Sequence, residues 1–337
     1  GAFESNLVDG LIYRDQLIDT LKILSGLTPD DKIALVPMVR YTKVPDPKKV
    51  LTTRTRIAVI YASGTITMGK GNDSNIGADR YAEVIRKERK DSTVKAIVLR
   101  VNSPGGNAIA SDIMWRELDL AAKVKPVIIS MGNYAASGGY YISAPGTRIY
   151  ADPTSISGSI GVFGLIPNTG KLMEQKLGIT TETVRTNENS DFPSIFRPMT
   201  EYEKQVMQAS IEKTYSDFVS KVSAGRNMTY ESVDNIAQGR VWSGTSALKL
   251  GLVDTLGGLN DAIRGAAALA GIGTYSIREL PTIEDPYMKL INQLGGGIRT
   301  GLLKKELGES YRVYRELVEI KELSGIQARL PYLIEIN

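Results

Sequence analysis

A serine with the surroundings of a nucleophile lies in residues 130–141, which read SMGNYAASGGYY. The apolar run before it, residues 126–130, predicts a buried strand. Ser137 stands between Ala136 and Gly138, so no bulky side chain shields its hydroxyl, and a helix beginning there would direct free N–H groups at the site. A helix start that is merely packed tightly against a sheet would explain the same small residues.

A Gly-Gly turn upstream could supply the donors that such a nucleophile needs. Residues 95–101 predict a buried strand, residues 103–106 interrupt it, and residues 108–123 have helical spacing of apolar side chains. The backbone N–H groups of Gly105 and Gly106 would then be unpaired and could stabilise an oxyanion. An ordinary βα turn remains an alternative. A phosphate-binding loop is a weaker one, because the P-loop lysine and the G-x-G-x-x-G spacing are missing.

Composition narrows the chemistry. The 337-residue chain has no His and no Cys, and its net charge is +4. Without His there is no Ser-His-Asp triad and no His-ligated metal hydrolysis, so a serine nucleophile would need another base, most often lysine. The charge is too small and too scattered to indicate nucleic-acid binding, and no apolar run is long enough to span a membrane. We expect no metal and no cofactor.

The motifs VNSPGG (residues 101–106) and SMGNYAASGGYY resemble the signal peptide peptidase A family of bacteria, peptidase family S49, in the Clp/crotonase fold group. The resemblance continues through residues 150–164, 237–244 and 247–254, and covers about residues 55 to 272. It implies an α/β fold of repeated ββα units of the Clp/crotonase type, with extra C-terminal helices. It also implies a homo-oligomer.

The family resemblance assigns roles to particular residues. Ser137 would attack a peptide carbonyl, and the N–H groups of Gly138 and of Gly106 (or Gly105) would hold the oxyanion. Ser159 would hydrogen-bond the amine of a catalytic lysine; a turn serine satisfied by its own backbone is the alternative. The implied substrates are cleaved signal peptides and other short or unfolded chains, cut at small or apolar residues.

An internal repeat links the start of the chain to residues 247–271. At a constant offset, Ala2, Leu7, Val8, Asp9, Leu11, Ile18, Leu24 and Gly26 recur as Ala247, Leu252, Val253, Asp254, Leu256, Ile263, Leu269 and Gly271. Two amphipathic helices could agree by coincidence. We interpret residues 1–26 as the tail end of a missing first repeat, since long members of the resembled family consist of two tandem repeats.

The remaining organisation follows from this interpretation. Residues 27–55 are expected to form a linker with a short strand at 32–36, and residues 56–275 the peptidase domain. Residues 276–337 are expected to be a helical extension, with helices at 287–294 and 302–323 and a plausible edge strand at 326–332. Mixed charges on the second of these helices favour packing or oligomer contact over a membrane surface.

The catalytic lysine is not where short members of the family have it, between a strand and a long helix after the serine. The corresponding strand is expected at residues 180–186, yet no lysine lies between Lys176 and Lys204. Arg185 keeps its proton near neutral pH, and Lys204 lies in the first turn of a helix capped by Thr200, where it should be exposed and protonated. In two-repeat members the first repeat supplies the lysine. We therefore expect the base outside this chain, and expect the chain alone to be inactive.

The expected partners are peptide substrates, the missing repeat and further copies of the chain. A membrane would be reached only through a segment absent from this chain, at the extracytoplasmic face of a bacterial inner membrane. Two other functions remain open: a crotonase-like acyl-CoA enzyme, which uses a similar Gly-bearing turn to hold a thioester oxyanion, and a scaffold that binds peptides without cleaving them. A covalent adduct on the serine would separate the peptidase from both.

Overall fold

The computed structural model describes residues 2–28, 30–41, 44, 53–282 and 325–329. The chain divides into two compact units, Gly1–Lys49 and Val50–Asn337. The described part of the first unit contains the helices α1 (Arg14–Leu24) and α2 (Met38–Tyr41). Helix α1 thus lies within residues 1–26, the segment interpreted as the end of a first repeat. The strand expected at residues 32–36 is wrong, because no neighbouring strand pairs with this segment.

The second unit alternates strands and helices. Its described strands are β1 (Arg56–Ser63), β2 (Thr65–Thr67), β3 (Asn75–Gly77), β4 (Val94–Ser103), β5 (Gly105–Asn107), β6 (Val127–Ala136), β7 (Arg148–Ala151), β8 (Ile156–Gly158), β9 (Phe163–Leu165), β10 (Val241–Ser243), β11 (Thr255–Leu256), β12 (Ser276–Leu280) and β13 (Gly325–Arg329). Its described helices are α3 (Ala78–Lys90), α4 (Ala108–Ala122), α5 (Gly138–Ser143), α6 (Gly170–Leu177), α7 (Glu201–Arg226), α8 (Tyr230–Ile236), α9 (Gly244–Lys249) and α10 (Leu259–Leu269).

A main sheet carries the core of this unit. Its strands follow the order β10-β8-β6-β4-β1-β12, with β7 beside β6 and β11 beside β7. The central strands β12, β1, β4 and β6 are parallel, and their apolar side chains alternate between two buried clusters. Ile57 and Val59 pack with α10 on one face, whereas Ile60 and Leu99 pack with side chains of α3, α4, α5 and α7 on the other. Burial on both faces explains the continuous apolar runs of these strands.

A second, smaller sheet has the order β3-β2-β5-β13-β9. The chain passes from β1 through Gly64, whose φ is 102°, into β2, and from β4 through Pro104 into β5. Each time a main-sheet strand is followed by strands of the smaller sheet and then by a helix, α3 or α4. These are the repeated ββα units expected of the fold class, and that prediction is confirmed.

Three expectations about chain organisation need correction. Residues 276–280, assigned to a helical extension, form β12, which is parallel to β1 in the main sheet. The expected edge strand at 326–332 is β13, residues 325–329, and it is paired on both sides. Residues 180–186 form no strand, because their alternation finds no partner strand. The helices expected at 287–294 and 302–323 lie outside the described residues.

The two segments that align in the sequence also have similar local structure. Helices α1 and α10 each contain 11 residues and occupy equivalent positions of the two copies. Each is followed by a glycine with positive φ, Gly26 at 71° and Gly271 at 65°, so the two copies end in the same way. Within the described ranges, no helix combines the length and the apolar character needed to cross a membrane.

Candidate active site

Ser137 lies at the sharp turn between β6 and α5. Its φ is 52° and its ψ is −116°, a conformation that a non-glycine residue adopts at a cost of about 1–3 kcal/mol. The Ser137 N–H donates to the carbonyl oxygen of Gly158 at 2.8 Å, which ties the turn to β8. A serine on a strained strand-to-helix turn is the arrangement of nucleophiles in many hydrolases.

The burial of Ser137 differs from the expectation. Its relative exposure is 0%, whereas the small neighbours predicted an open hydroxyl. The small residues do keep bulky side chains away, but backbone takes their place, because the carbonyl oxygens of Gly161 and Ala328 lie close to the turn. The Ser137 hydroxyl donates to Gly161 O at 3.4 Å, a long and weak hydrogen bond that leaves the oxygen free to react.

Ser159 lies beside Ser137 because of the strand register. Ala136 of β6 is paired with Gly158 of the parallel strand β8, and the two serines are the next residues along their strands. The φ of Ser159 is 47°, and its N–H donates to Arg240 O at 2.7 Å. The residue is only 2% exposed, yet its hydroxyl makes no hydrogen bond within the described part of the chain. The alternative explanation for Ser159, a turn serine whose hydroxyl is hydrogen-bonded to its own backbone, therefore does not match the structure.

A cavity of about 400 Å³ opens next to this pair of serines. Its described lining residues are Ser159, Gly161, Val162, Phe163, Tyr215, Gln238 and Gly239. Burial and a hydrogen bond to Asp234 raise the pKa of Tyr215, so this wall carries a neutral phenol near pH 7. The cavity thus reaches both the unpartnered Ser159 and the carbonyl group that accepts from Ser137.

The structure separates the roles of the two glycines upstream. The N–H of Gly105 donates to Ser103 Oγ at 3.1 Å, whereas Gly106 lies between β2 and β13, opposite Ile66 and Ala328. Gly105 has a φ of 98°, and its Cα lies 3.2 Å from the position that a Cβ on Gly138 would occupy. The Gly-Gly turn and the nucleophile turn are therefore in contact, as two parts of one oxyanion hole would be.

Two residues that hold this geometry were missed in the sequence. Asn102 Oδ1 accepts hydrogen bonds from Asn133 N at 3.1 Å and Tyr134 N at 3.4 Å, where the register between β4 and β6 shifts. Ser103 is fully buried and orients the Gly105 peptide. Both belong to the VNSPGG motif, so the signal was present. The role of Asn102 depends on β6 lying next to β4, and the motif by itself does not predict which strand is the neighbour.

A cluster behind the nucleophile ties three helices together. The Tyr141 hydroxyl of α5 donates to Asp112 Oδ1 of α4 at 2.9 Å, and Lys221 of α7 is hydrogen-bonded to both residues. The Lys221 amine also lies 4.4 Å from the ring centroid of Trp115, a cation–π distance. Burial and the Asp112 carboxylate raise the pKa of Tyr141. Because Tyr141 lies one turn after Ser137, this cluster fixes α5.

Within residues 53–282, no lysine amine is hydrogen-bonded to Ser137 or Ser159. Lys204 pairs with Glu201 at 2.7 Å on an exposed surface, as expected for the first turn of α7. Burial lowers the pKa of Lys125, but its amine donates to three backbone carbonyl groups around residues 88–94. These carbonyl groups lie near Val94, the first residue of β4, whereas Ser103 is its last residue. The two ends of a ten-residue strand are about 30 Å apart.

Comparison with known proteins gives a consistent picture. The model of the family described as Peptidase family S49 matches residues 119–273. Protease 4 of Haemophilus influenzae is 40% identical over 270 residues, which cover 80% of this chain and 44% of that protein. The chloroplastic serine protease SPPA of Arabidopsis thaliana is 34% identical over 333 residues, 97% of this chain and 48% of that protein.

A shorter relative aligns over most of its own length. A putative protease of Methanocaldococcus jannaschii is 39% identical over 223 residues, 66% of this chain and 71% of that protein. The chain spans about half the length of the two longer relatives, at 44% and 48%. All the catalytic residues suggested by sequence lie inside or just before the segment that the family model matches.

Proposed function

Because this chain belongs to peptidase family S49, we propose that it is the nucleophile-bearing part of a serine peptidase that cleaves peptides through an acyl-enzyme. The adjacency of Ser137 and Ser159 beside an open cavity is the observation that carries this proposal. Ser137 attacks the substrate carbonyl carbon, and the peptide bond breaks as the proton passes to the leaving nitrogen. Water then hydrolyses the ester and restores the hydroxyl.

The oxyanion is held by the N–H groups of Gly106 and Gly138 in this mechanism. Each donor of this kind contributes about 3 kcal/mol to transition-state stabilisation in comparable hydrolases. Two features support the assignment: Gly138 is the first residue of α5 directly after the nucleophile, and the Gly-Gly turn is in contact with it. No side chain at either glycine stands between the donors and a substrate.

The general base is proposed to be a lysine from a further polypeptide segment, such as a first repeat. Its amine would enter the cavity beside Ser159, accept the proton of Ser137 and donate to the Ser159 hydroxyl. The hydroxyl of Ser159 favours this because it lines the cavity and has no hydrogen-bond partner among the described residues, so it is available to an entering amine. The apolar side chains of Val162 and Phe163 in the cavity wall would lower the pKa of an entering amine.

Proposed substrates are extended peptides, including cleaved signal peptides, since small residues and backbone line the site. The acyl-CoA alternative gains no support from the relatives described above, which are named as proteases. Oligomerisation and a position at the extracytoplasmic face of a bacterial inner membrane stay predictions from the family resemblance.

The test is peptide cleavage by purified 1–337, alone and together with the first repeat as a separate or fused chain. The chain alone should be inactive or nearly so, because an unassisted serine hydroxyl is a poor nucleophile, and the first repeat should restore turnover that rises with pH through one lysine-like group. A serine-directed phosphonylating inhibitor should add mass to Ser137 in the active protein and not in Ser137→Ala. Full activity of 1–337 alone would place the base within this chain and overturn this part of the proposal.

Entry of the base through the cavity has its own test. Val162→Trp fills the cavity next to Ser159, so it should reduce the restored activity by at least about a hundredfold, the effect of displacing a catalytic group by an ångström or more. Val184→Trp is the matched control, since Val184 is 97% exposed. Equal activity of the two variants would mean that the base reaches Ser137 by another route.

A further inference from the structure

Helix α5, which begins with the proposed oxyanion donor Gly138, is short and follows a strained residue. It has six residues, Gly138–Ser143, and Ser137 before it has a φ of 52°. Strain of this kind persists only where the surrounding structure holds it. A helix of six residues has little rigidity of its own, because isolated helices of this length are unstable in water. Contacts between α5 and other elements must therefore hold the nucleophile turn.

Tyr141 connects that turn to the rest of the unit. Its backbone N–H donates to Ser137 O at 2.8 Å. The carbonyl group of Ser137 and the N–H of Gly138 belong to one planar peptide group, so this hydrogen bond orients the proposed oxyanion donor. Any shift of Tyr141 is thereby passed to the donor.

The side chain of Tyr141 is held by α4 and α7 together. Its ring packs on Phe218 of α7 with the centroids 4.6 Å apart, and its hydroxyl donates to Asp112 Oδ1 of α4 at 2.9 Å. The Lys221 amine of α7 donates to the same hydroxyl at 2.9 Å and also to Asp112. It lies 4.4 Å from the ring centroid of Trp115 of α4. Lys221 thus joins three helices at one phenol oxygen.

The exposure of this ion pair indicates a positional role more than a stabilising one. The side chain of Lys221 is 21% exposed and that of Asp112 is 49% exposed. A partly desolvated ion pair adds little net stability, because the loss of hydration offsets much of the attraction. It does select one geometry, since the ammonium group donates to two oxygens in fixed positions.

We propose that Lys221 is a positioning residue of the peptidase. Through Tyr141 it fixes the peptide group between Ser137 and Gly138, and with it the strained turn, in the orientation that an oxyanion needs. The inference rests on the proposed function for the meaning of that orientation, but the restraint on the turn does not require hydrolysis.

A double-mutant cycle in stability tests the restraint without any turnover. Urea unfolding of the 337-residue chain compares Ser137→Ala with Ser137→Gly, each with and without Lys221→Met. With Lys221 present, alanine keeps the strain and glycine releases it, so the equilibrium constant for unfolding should be about fivefold larger for Ser137→Ala. Lys221→Met lets the turn relax, so this ratio should fall towards one. A ratio that stays the same or grows would overturn the inference.

Lys213→Met is the matched control for this cycle. Lys213 lies on the same helix in an ion pair with Asp217, and its side chain is 73% exposed. The ratio should remain about fivefold in its presence. If Lys221→Met does not fold, Tyr141→Phe replaces it in the cycle and should lower the ratio in the same way. It keeps the ring that packs on Phe218 and removes both hydrogen bonds of the hydroxyl.

Kinetics with the first repeat supplied test the consequence for catalysis. The oxyanion forms only as the reaction proceeds, so Lys221→Met should lower kcat about tenfold or more and leave KM within about twofold. Each kcat is expressed per active site, counted as Ser137 that reacts with a phosphonylating inhibitor, so unfolded protein does not contribute. A parental kcat per active site in Lys221→Met would reject the positioning role.

Failure of the proposed function has a different signature. Hydrolysis by the assembled protein together with an unchanged ratio in the cycle would sustain the peptidase and reject the role of Lys221. A ratio that falls in the cycle, without hydrolysis by any variant, would reject the peptidase and sustain the restraint of the turn by Lys221.

Discussion

Ser137 and Ser159 follow directly after two residues that are paired in register, Ala136 and Gly158, in neighbouring parallel strands. Both serines have positive φ, at 52° and 47°, so both strands turn away at the same level of the sheet. Neighbouring strands are about 4.8 Å apart, and the two hydroxyl groups can therefore serve one site. The two serines are expected to contribute differently, Ser137 as the nucleophile and Ser159 as a hydrogen-bond partner of the base, and the first two predictions test these roles separately.

Glycine and alanine at position 137 should abolish hydrolysis equally but differ in stability. Alanine keeps the strain of φ at 52°, whereas glycine adopts this conformation freely, so Ser137→Gly should be more stable than Ser137→Ala by about 1 kcal/mol. Chemical denaturation of both variants measures the difference. The order should reverse at Ser220, an exposed position inside α7, where glycine costs about 1 kcal/mol relative to alanine. An equally stable pair at position 137 would contradict the strain.

Ser159→Ala should leave the fold unchanged and slow hydrolysis by about 10- to 100-fold once the base is supplied, which is the worth of one hydrogen bond to a charged group. The fold should tolerate the change because the hydroxyl has no hydrogen bond among the described residues. Ser157→Ala is the matched control, a buried serine of the same strand whose hydroxyl contacts Met131 Sδ at 3.4 Å. A kcat within twofold of the parent for Ser159→Ala would remove this serine from the mechanism.

Gly106→Ala should destabilise the unit as well as inactivate it. A Cβ at Gly106 would overlap the backbone oxygen of Ile66 in β2, so the strands would have to separate, at a cost of about 1–3 kcal/mol. Thermal unfolding should show this loss, while Gly273→Ala, where a Cβ meets open space, should stay near the parent. A Gly106→Ala protein with parental stability would show that β2 and β5 can move apart without cost.

Acid should weaken the fold through Glu203. Hydrogen bonds from Arg197 at 2.6 and 2.8 Å lower the pKa of Glu203 from 4.5 to about 2. Because the folded pKa lies below the unfolded one, the stabilisation is complete above pH 4.5 and is lost as the pH falls towards 2. Urea unfolding of Arg197→Gln should show a shallower loss between these pH values than the parent. Arg264 forms an exposed i,i+3 ion pair with Asp261. Arg264→Gln is therefore the control, and its free energy of unfolding should fall with pH as that of the parent does.

Much of this site was accessible from local sequence because its parts are consecutive. Ser137 and Gly138 lie between a strand and a helix, and the Gly105–Gly106 turn has the same setting, so local pattern predicts both. The helix cap at Thr200 is likewise a local pattern, and the structure completes it as a capping box with Glu203, with both hydrogen bonds present.

What sequence alone could not show depends on distant pairing. The pairing of β13 with β5 brings together segments that are far apart in the sequence, so local patterns do not predict it. Because β13 also pairs with β9, the expected edge strand is an inner strand of the smaller sheet. The full burial of Ser137 was missed because the atoms near it are backbone oxygens from Gly161 and Ala328. Conversely, the alternation in residues 180–186 predicts a strand only if a partner is near, and none is found among the described residues.

The hydrogen bond from Ser137 N–H to Gly158 O has a stereochemical consequence. In the proposed mechanism this bond would keep the amide of the nucleophile itself out of the oxyanion hole, so the oxygen of an attacked carbonyl would point towards Gly106 and Gly138. Only one face of the planar peptide group can meet the serine in this orientation, and the tetrahedral carbon that forms would have a single handedness.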